Sequence, residues 1–266
     1  AGLTAAAVKD EMSDGRWTIE AGALPMADMG LAAIDEMDKM ADTDRDALHE
    51  GLEQQTISVA KAGITATLRC RCSVLAAANP KLGRFDLIEP ISSQIKLAPT
   101  LLSRFDLIFV LFDTPEQELD SRISSHILNV YMDDRVATPP IPPDLLRKYI
   151  AYARRTITPQ MTQESSKALQ EYYLGVRAKY NSGPNQPVPT TARQLQALMR
   201  LSVASARLRL SSKVELQDAN RAIALTDACL RKVGIDQSTG SYDAGAIDTG
   251  FTKTHVDAIS TLKTII

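Results

Sequence analysis

Leu31-Ala-Ala-Ile-Asp-Glu-Met-Asp-Lys-Met40 is a short apolar run that breaks abruptly into acid. A run this brief, preceded by Gly30, predicts a buried strand rather than a helix. Asp35 and Glu36 emerge at its carboxyl end, where open α/β sheets place their ligand sites. Two adjacent carboxylates there suit metal-assisted phosphate chemistry. Asp35 holds a Mg2+-bound water and Glu36 orients or deprotonates an attacking water. The competing reading is a plain acidic strand-to-helix turn, with Asp38 or Asp42 capping the next helix.

Downstream, Asp42 or Thr43 is a good helix cap, and Leu48 and Leu52 fall at helical spacing, so a helix is expected to about Gln55. His49 on it reads as structural or exposed. Two β-leaning runs follow, Thr56–Ala60 and Ile64–Cys70, with Lys61-Ala-Gly63 between them. This is a hairpin whose glycine supplies a positive backbone angle. The lysine at its tip serves either solubility or phosphate contact. Ser73–Ala78 reads as the next buried strand and ends in Asn79-Pro80, an amide placed to position a water or phosphate. Leu101-Leu-Ser-Arg-Phe-Asp106 precedes a third buried strand, Leu107–Phe112. Arg104 is either an ordinary ion-pair partner of Asp106 or an arginine that reaches a neighbouring subunit's nucleotide.

Upstream, alanine-rich Ala1–Asp10 reads as helical. Trp17–Gly22 reads as a strand, so Asp10–Leu24 forms a hairpin insertion, with Trp17 either part of it or packed at its base. Beyond Pro115 the texture turns helical: Glu116–Met132, Asp144–Arg155, Gln163–Tyr180, Thr190–Leu210 and Leu216–Lys232. Pro139, Pro140, Pro142 and Pro143 make a rigid connector, and Asn181–Pro189 is a loop. Arg193 lies in the first turn of its helix, where a positive charge opposes the dipole unless it has an outside partner. Gln237–Gly250 reads as a linker and Phe251–Ile266 as a helix cut short.

The 266 residues allow one large domain or two small ones. Lys plus Arg number 30 against 32 Asp plus Glu, a net charge of −2, which excludes a globally basic coat but not a local basic patch. Cys70, Cys72 and Cys229 form no disulfide framework or zinc pattern. The first two are expected on one face of a strand, and all three read as reduced thiols of a cytosolic or nuclear protein. There is neither an apolar run of about 18 residues to span a bilayer nor a signal peptide. The chain opens at Ala1 in what reads as structured sequence, so a fragment is expected.

Five stretches, in this order, resemble the minichromosome maintenance replicative helicases of the AAA+ ATPases. Ile34–Met40 resembles their Walker B segment, and His49–Ile64 their helix and pre-sensor-1 hairpin. Val74–Pro80 resembles sensor 1, Leu101–Asp106 the arginine-finger motif, and the stretch from Thr191-Ala-Arg-Gln-Leu195 onwards the sensor-2 helix. Ala1–Leu24 is similar to the helix-2 insertion, and the compact loops resemble archaeal members more than eukaryotic ones. Met37 stands where the family more often has phenylalanine, a tolerable apolar exchange. No G-x-x-x-x-G-K-[ST] occurs anywhere in the sequence.

The resemblance implies an α/β fold: an incomplete AAA+ P-loop NTPase core without its phosphate loop, bearing β-hairpin insertions, then an all-α lid bundle. The implied domains are 1–138 for the core, 139–235 for the lid with sensor 2, and 236–266 for a linker and the start of a winged-helix domain. It implies ATP and Mg2+ as cofactors. Asp35 would help hold the metal, Glu36 would polarise the hydrolytic water and Asn79 would sense the γ-phosphate. Arg104 and Arg193 would act across the subunit boundary, and Lys61 would grip DNA in a central channel. The implied partners are DNA, further copies in a hexameric ring and other replication factors, with no membrane. The location is cytoplasmic nucleoid if archaeal and nuclear if eukaryotic. Two readings compete with a helicase motor: a degenerate AAA+ subunit that lends its arginines to a partner, and another AAA+ class such as a chelatase or transcription activator.

Overall fold

Strand pairing organises the start of the chain and helix packing the rest. The structure is a computed structural model that describes residues 2–9, 17–61, 63–85, 94–132, 139–179, 192–233, 235–236 and 241–242. It divides into two compact units, Ala1–Phe105 and Asp106–Ile266.

In the first unit, β1 (Ala5–Lys9) and β2 (Trp17–Ala21) pair antiparallel, Ala5 opposite Ala21 and Lys9 opposite Trp17. The alanine-rich start is therefore a strand, not the expected helix. A partner strand carrying Thr18 and Ile19 overrides alanine's helical preference. Trp17 is exposed at the last described pair of this ladder, not packed at its base, with Lys9 Nζ 5.5 Å from its ring centroid. Gly22 closes the hairpin because its N–H reaches Thr4 O at 2.7 Å and a Cβ there would lie 2.5 Å from Gly2 O. A single turn, α1 (Ala23–Met26), buries Leu24 and leads to β3 (Leu31–Ile34).

β3 pairs in parallel with β6 (Ser73–Ala76), Leu31 opposite Ser73 through Ile34 opposite Ala76. Both expected strands form, but they are not the buried strands their composition suggested. Leu31 and Leu75 are 61% and 63% exposed. With a period of two, Leu31, Ala33, Ser73 and Leu75 share one face, and that face is open.

Between them lie α2 (Asp42–Gln54) and a hairpin of β4 (Thr56–Lys61) and β5 (Ile64–Arg69). The helix N-cap is Ala41, without a side-chain cap bond, so Asp42 and Thr43 are not the cap. Asp42 and Asp44 sit instead in the first turn, where the dipole favours them. Leu48 anchors α2 and Ile57 and Val59 anchor β4, all buried. In the hairpin turn Gly63 has φ +76, as its sequence position required. Cys70 and Cys72 lie just past β5 rather than on a strand. Burial pushes the Cys70 thiol to about 11. The two hairpins of this unit pack against each other, β1 on β4 and β2 on β5. A turn of helix, α3 (Pro99–Leu102), carries buried Leu101 and Leu102 and ends the unit.

The second unit begins without the expected third strand. A strand exists only by pairing its backbone, and residues 107–112 belong to no ladder. Ile108 instead exchanges both backbone bonds with a thiol: its N–H donates to Cys229 Sγ at 3.0 Å and its carbonyl accepts from it at 2.7 Å. The helices follow close to expectation: α4 (Gln117–Met132), α5 (Pro143–Thr156), α6 (Gln163–Lys179), α7 (Ala192–Leu208) and α8 (Leu216–Val233). Leu169, Leu198, Ala219 and Ala222, one or two from each of α6, α7 and α8, make the bundle core, with Leu195, Leu201 and Tyr172 against it. Two short pairings escaped the sequence. β7 (Gln160–Met161) runs parallel to β8 (Lys213–Val214), and β9 (Ile235–Asp236) antiparallel to β10 (Ser241–Tyr242). Two residues are too few to show a period. The expected loop Asn181–Pro189, most of the linker and the helix Phe251–Ile266 lie outside the described residues.

Candidate active site

The parallel register of β3 and β6 carries two polar clusters to one edge. Asp35 and Glu36 follow Ile34, and Asn79 lies three positions past Ala76, so all three leave the carboxyl ends of adjacent strands. The backbone continues the ladder past the strands: Ala77 N–H donates to Ile34 O, and Met37 N–H to Ala77 O, both at 2.9 Å. Met37, the exchanged apolar residue, is buried and anchors the acidic turn from below.

Glu36 sits in the left-handed region, φ 52 and ψ 40. For a residue with a Cβ this conformation costs about 1 kcal/mol. Such strain is a mark of functional turns. The turn is held by Asp35 Oδ1, which accepts from the Glu36 N–H at 2.8 Å. Lys39 Nζ contacts Glu36 Oε1 at 2.5 Å across an exposed pair. The Lys39 ammonium is pushed up by this hydrogen bond.

Asp38 joins the two edges. Its carboxylate accepts from the Asn79 backbone N–H at 3.0 Å, and its carbonyl accepts from Arg45 Nη2 at 3.1 Å. The Asn79 bond holds the Asp38 carboxyl below its ordinary range. Among the described residues the Asn79 side-chain amide has no hydrogen-bond partner and is exposed.

Arg104, in the same unit, does not pair with Asp106. Its Nη1 donates to His49 O at 2.9 Å and forms an ion pair with Glu53, and its Nε reaches Thr100 O at 3.3 Å. Asp106 is taken by Arg200 in the second unit, Nη2 to Oδ1 at 2.5 Å and Nε to Oδ2 at 3.1 Å. Lys61 ends β4 opposite Ile64, at the turn of the hairpin. Arg193 lies in the first turn of α7, a turn that carries no acidic residue of its own. Two further arginines at the end of that helix and just past it are structural. Arg207 bonds Ile157 O and Arg209 pairs with buried Asp218.

Two residues of this architecture were not legible as functional. Asp38 reads in the sequence as a helix cap, and only the proximity of the second strand shows what its carboxylate holds. Glu53 carries no sequence signal, because its partner is far away in the chain.

The donor set fits a magnesium-nucleotide site of the sparse kind. Mg2+ takes one or two protein carboxylates and fills its shell from phosphates and water. Asp35 offers an exposed carboxylate whose second oxygen is uncommitted. Among the described residues no group of three His, Cys, Asp or Glu side chains makes an all-protein cage.

Residues 1–131 match the family model of the MCM P-loop domain, and residues 144–230 match that of the MCM AAA-lid domain. The chain belongs to the minichromosome maintenance (MCM) family. It is 47% identical to the minichromosome maintenance protein MCM of Saccharolobus solfataricus, over 94% of this chain and 36% of that protein. DNA replication licensing factor MCM4 of Oryza sativa subsp. japonica is 43% identical over 94% of this chain and 29% of its own length. A protein of Oryza sativa subsp. indica named "Probable DNA helicase MCM8" is 39% identical over 88% of this chain and 35% of its own length. The MCM chain thus spans about a third of the length of these relatives. Its fold is that of the family: a P-loop-domain α/β portion with hairpin insertions, and an AAA-lid. The P-loop-domain match runs on through α4, past the boundary that contacts draw at Phe105.

Proposed function

We propose that this MCM chain is the greater part of the motor of an ATP-dependent DNA helicase of replication. In its full-length protein it works as a hexameric ring with ATP sites shared between neighbouring subunits. The observation that carries this reading is the β3–β6 register, which sets Asp35 and Glu36 beside Asn79 at one carboxyl edge. The names of the relatives, replication licensing factor and DNA helicase, support the process.

The core is residues 1–138, the lid 139–235, and 236–266 the linker and first part of a winged-helix domain. Asp35 would hold Mg2+, which would supply neutralisation of phosphate charge, and the Asn79 amide would donate to the γ-phosphate. Glu36 accepts a proton from the attacking water and fixes its line of approach. Arg104 and Arg193 of a neighbouring subunit complete the site by stabilising charge that develops on the transferred phosphoryl group. Lys61, at a hairpin turn, holds the DNA backbone by charge and without reading sequence, as a motor requires. DNA and other replication factors are the partners. The protein works where the chromosome lies, the cytoplasmic nucleoid in an archaeon or the nucleus in a eukaryote. No described helix is long and apolar enough to cross a membrane.

The test is DNA-stimulated ATP hydrolysis by the full-length protein, with Arg104→Ala and Glu36→Gln subunits alone and mixed. Each variant alone is expected to be inactive. Mixing places an intact Glu36 site beside an intact Arg104, so activity returns. Inactive variants that stay inactive on mixing refute the shared site, and unimpaired single variants refute the residue roles. A wild-type protein that never hydrolyses ATP establishes instead a degenerate subunit that serves a partner.

A further inference from the structure

A guanidinium has five N–H donors, and the chain occupies one side of that of Arg104. Nε donates to Thr100 O at 3.3 Å in α3. Nη1 donates to His49 O at 2.9 Å in α2 and pairs with the carboxylate of Glu53, one turn further along the same helix. Three acceptors on two elements therefore fix the side chain, which is only 16% exposed. Nη2 donates no hydrogen bond to a described residue.

Two of those acceptors are backbone carbonyls that any sequence supplies; the third is a chosen carboxylate. A mere tie between α3 and α2 would be served by the carbonyls alone. A charged partner on one edge, with the other nitrogen uncommitted, is the arrangement for presenting an arginine outward. We propose that Glu53 is the positioning residue of Arg104: it clamps the inner edge of the guanidinium in its own subunit and leaves Nη2 for the phosphate bound by the neighbour. The inference rests on the reading of Arg104 as an arginine acting across the subunit boundary.

The physical gain is pre-organisation. An arginine has many rotamers, and ordering it at the moment of reaction costs free energy that the transition state must supply. Glu53 orders it beforehand. The effect falls on the chemical step, because a displacement of about 1 Å in a group that stabilises charge costs up to about a hundredfold. Binding of ATP, made mainly by the subunit that owns the site, is little touched.

The experiment uses the full-length protein and compares wild type, Glu53→Ala, Glu53→Gln, Arg104→Ala and the double variant Glu53→Ala/Arg104→Ala. DNA-stimulated hydrolysis is measured against ATP concentration, together with thermal unfolding. Glu53→Ala is expected to lower kcat about tenfold with KM for ATP within about twofold of wild type. Glu53→Gln keeps an acceptor at the same reach and restores most of kcat. The double variant is no slower than Arg104→Ala alone, since the effect of Glu53 on turnover runs through that side chain. Wild-type kcat in Glu53→Ala beside an inactive Arg104→Ala overturns the inference and leaves the finger intact. So does a loss in Glu53→Ala that follows a lowered melting temperature, or one that multiplies with the Arg104 loss. Normal turnover by Arg104→Ala overturns the finger reading itself.

Discussion

The carboxylate of Asp38 accepts a hydrogen bond from the backbone N–H of Asn79 at 3.0 Å, across 41 positions of sequence. One side chain thereby sets the distance between the acidic turn after β3 and the amide after β6. Asp38→Ala removes the bond and leaves the Asn79 loop to wander. Its kcat for ATP is expected to fall about tenfold, as for a displaced positioning contact, with Asp38→Asn retaining part through its carbonyl oxygen. Steady-state hydrolysis by the full-length protein measures both. The bond lowers the carboxyl's pKa, so it is present above the ordinary carboxylate range and is lost as pH falls through the lowered value.

In the proposed mechanism Glu36 is the base. Glu36→Gln keeps size and polarity and loses the base, so turnover should drop by about a hundredfold or more. Nucleotide binding, followed by a fluorescent ATP analogue, should remain. Near-normal turnover in this variant would remove Glu36 from the mechanism. The left-handed backbone at this position adds a control: Glu36→Gly relieves the strain and still abolishes hydrolysis.

In the proposed mechanism Lys61 separates grip from fuel. Lys61→Ala is expected to cut strand unwinding far more than ATP hydrolysis, and to reduce the salt dependence of DNA binding by about one charge per subunit. Unwinding and salt-titrated binding assays on the full-length protein check this. Equal losses in unwinding and hydrolysis would mean that the hairpin matters for structure alone.

In the second unit, stability depends on Asp218, which is fully buried. Its carboxylate accepts from Arg209 Nη2 at 2.7 Å, Ser205 Oγ at 2.8 Å and the Glu215 N–H at 3.0 Å. The Arg209 hydrogen bond, helped by the other two, holds its pKa at about 2. A pKa depressed by folding stabilises above the unfolded value, near 4, and that contribution fades as pH falls toward 2. Asp218→Asn should cost about 2 kcal/mol at neutral pH, because it removes the charged acceptor of Arg209, which keeps only the longer contact to Glu215 at 3.4 Å. The gap between variant and wild type should close in thermal melts taken toward pH about 2.

Much of this was legible in the sequence. The break from Leu31–Ile34 into Asp35-Glu36, the glycine at position 63 and the regular apolar spacing of α6, α7 and α8 each belong to a local rule, and local rules survive folding. The misses were cases in which a distant partner decides. Ala5–Lys9 is a strand because β2 lies beside it. Residues 107–112 pair with no strand among the described residues, and Cys229 takes the backbone bonds of Ile108. Arg104 leaves Asp106, the neighbour its spacing suggested, to Arg200 and pairs with Glu53, which no spacing rule could indicate. The roles of Asp38 and Glu53 are invisible in one dimension, since each is defined by an acceptor and a donor that only the tertiary fold brings together.

The acidic turn is fastened to the neighbouring loop twice, by Met37 N–H on Ala77 O and by Asp38 on Asn79 N–H. A segment pinned at two consecutive residues cannot pivot on its own. Any displacement of the Asn79 loop is handed on to Glu36 with almost no slack. On the proposed roles of Asn79 and Glu36, detecting a phosphate and aiming the base become a single mechanical degree of freedom. Such a site would have no state in which it has noticed its fuel but is not yet aimed to burn it.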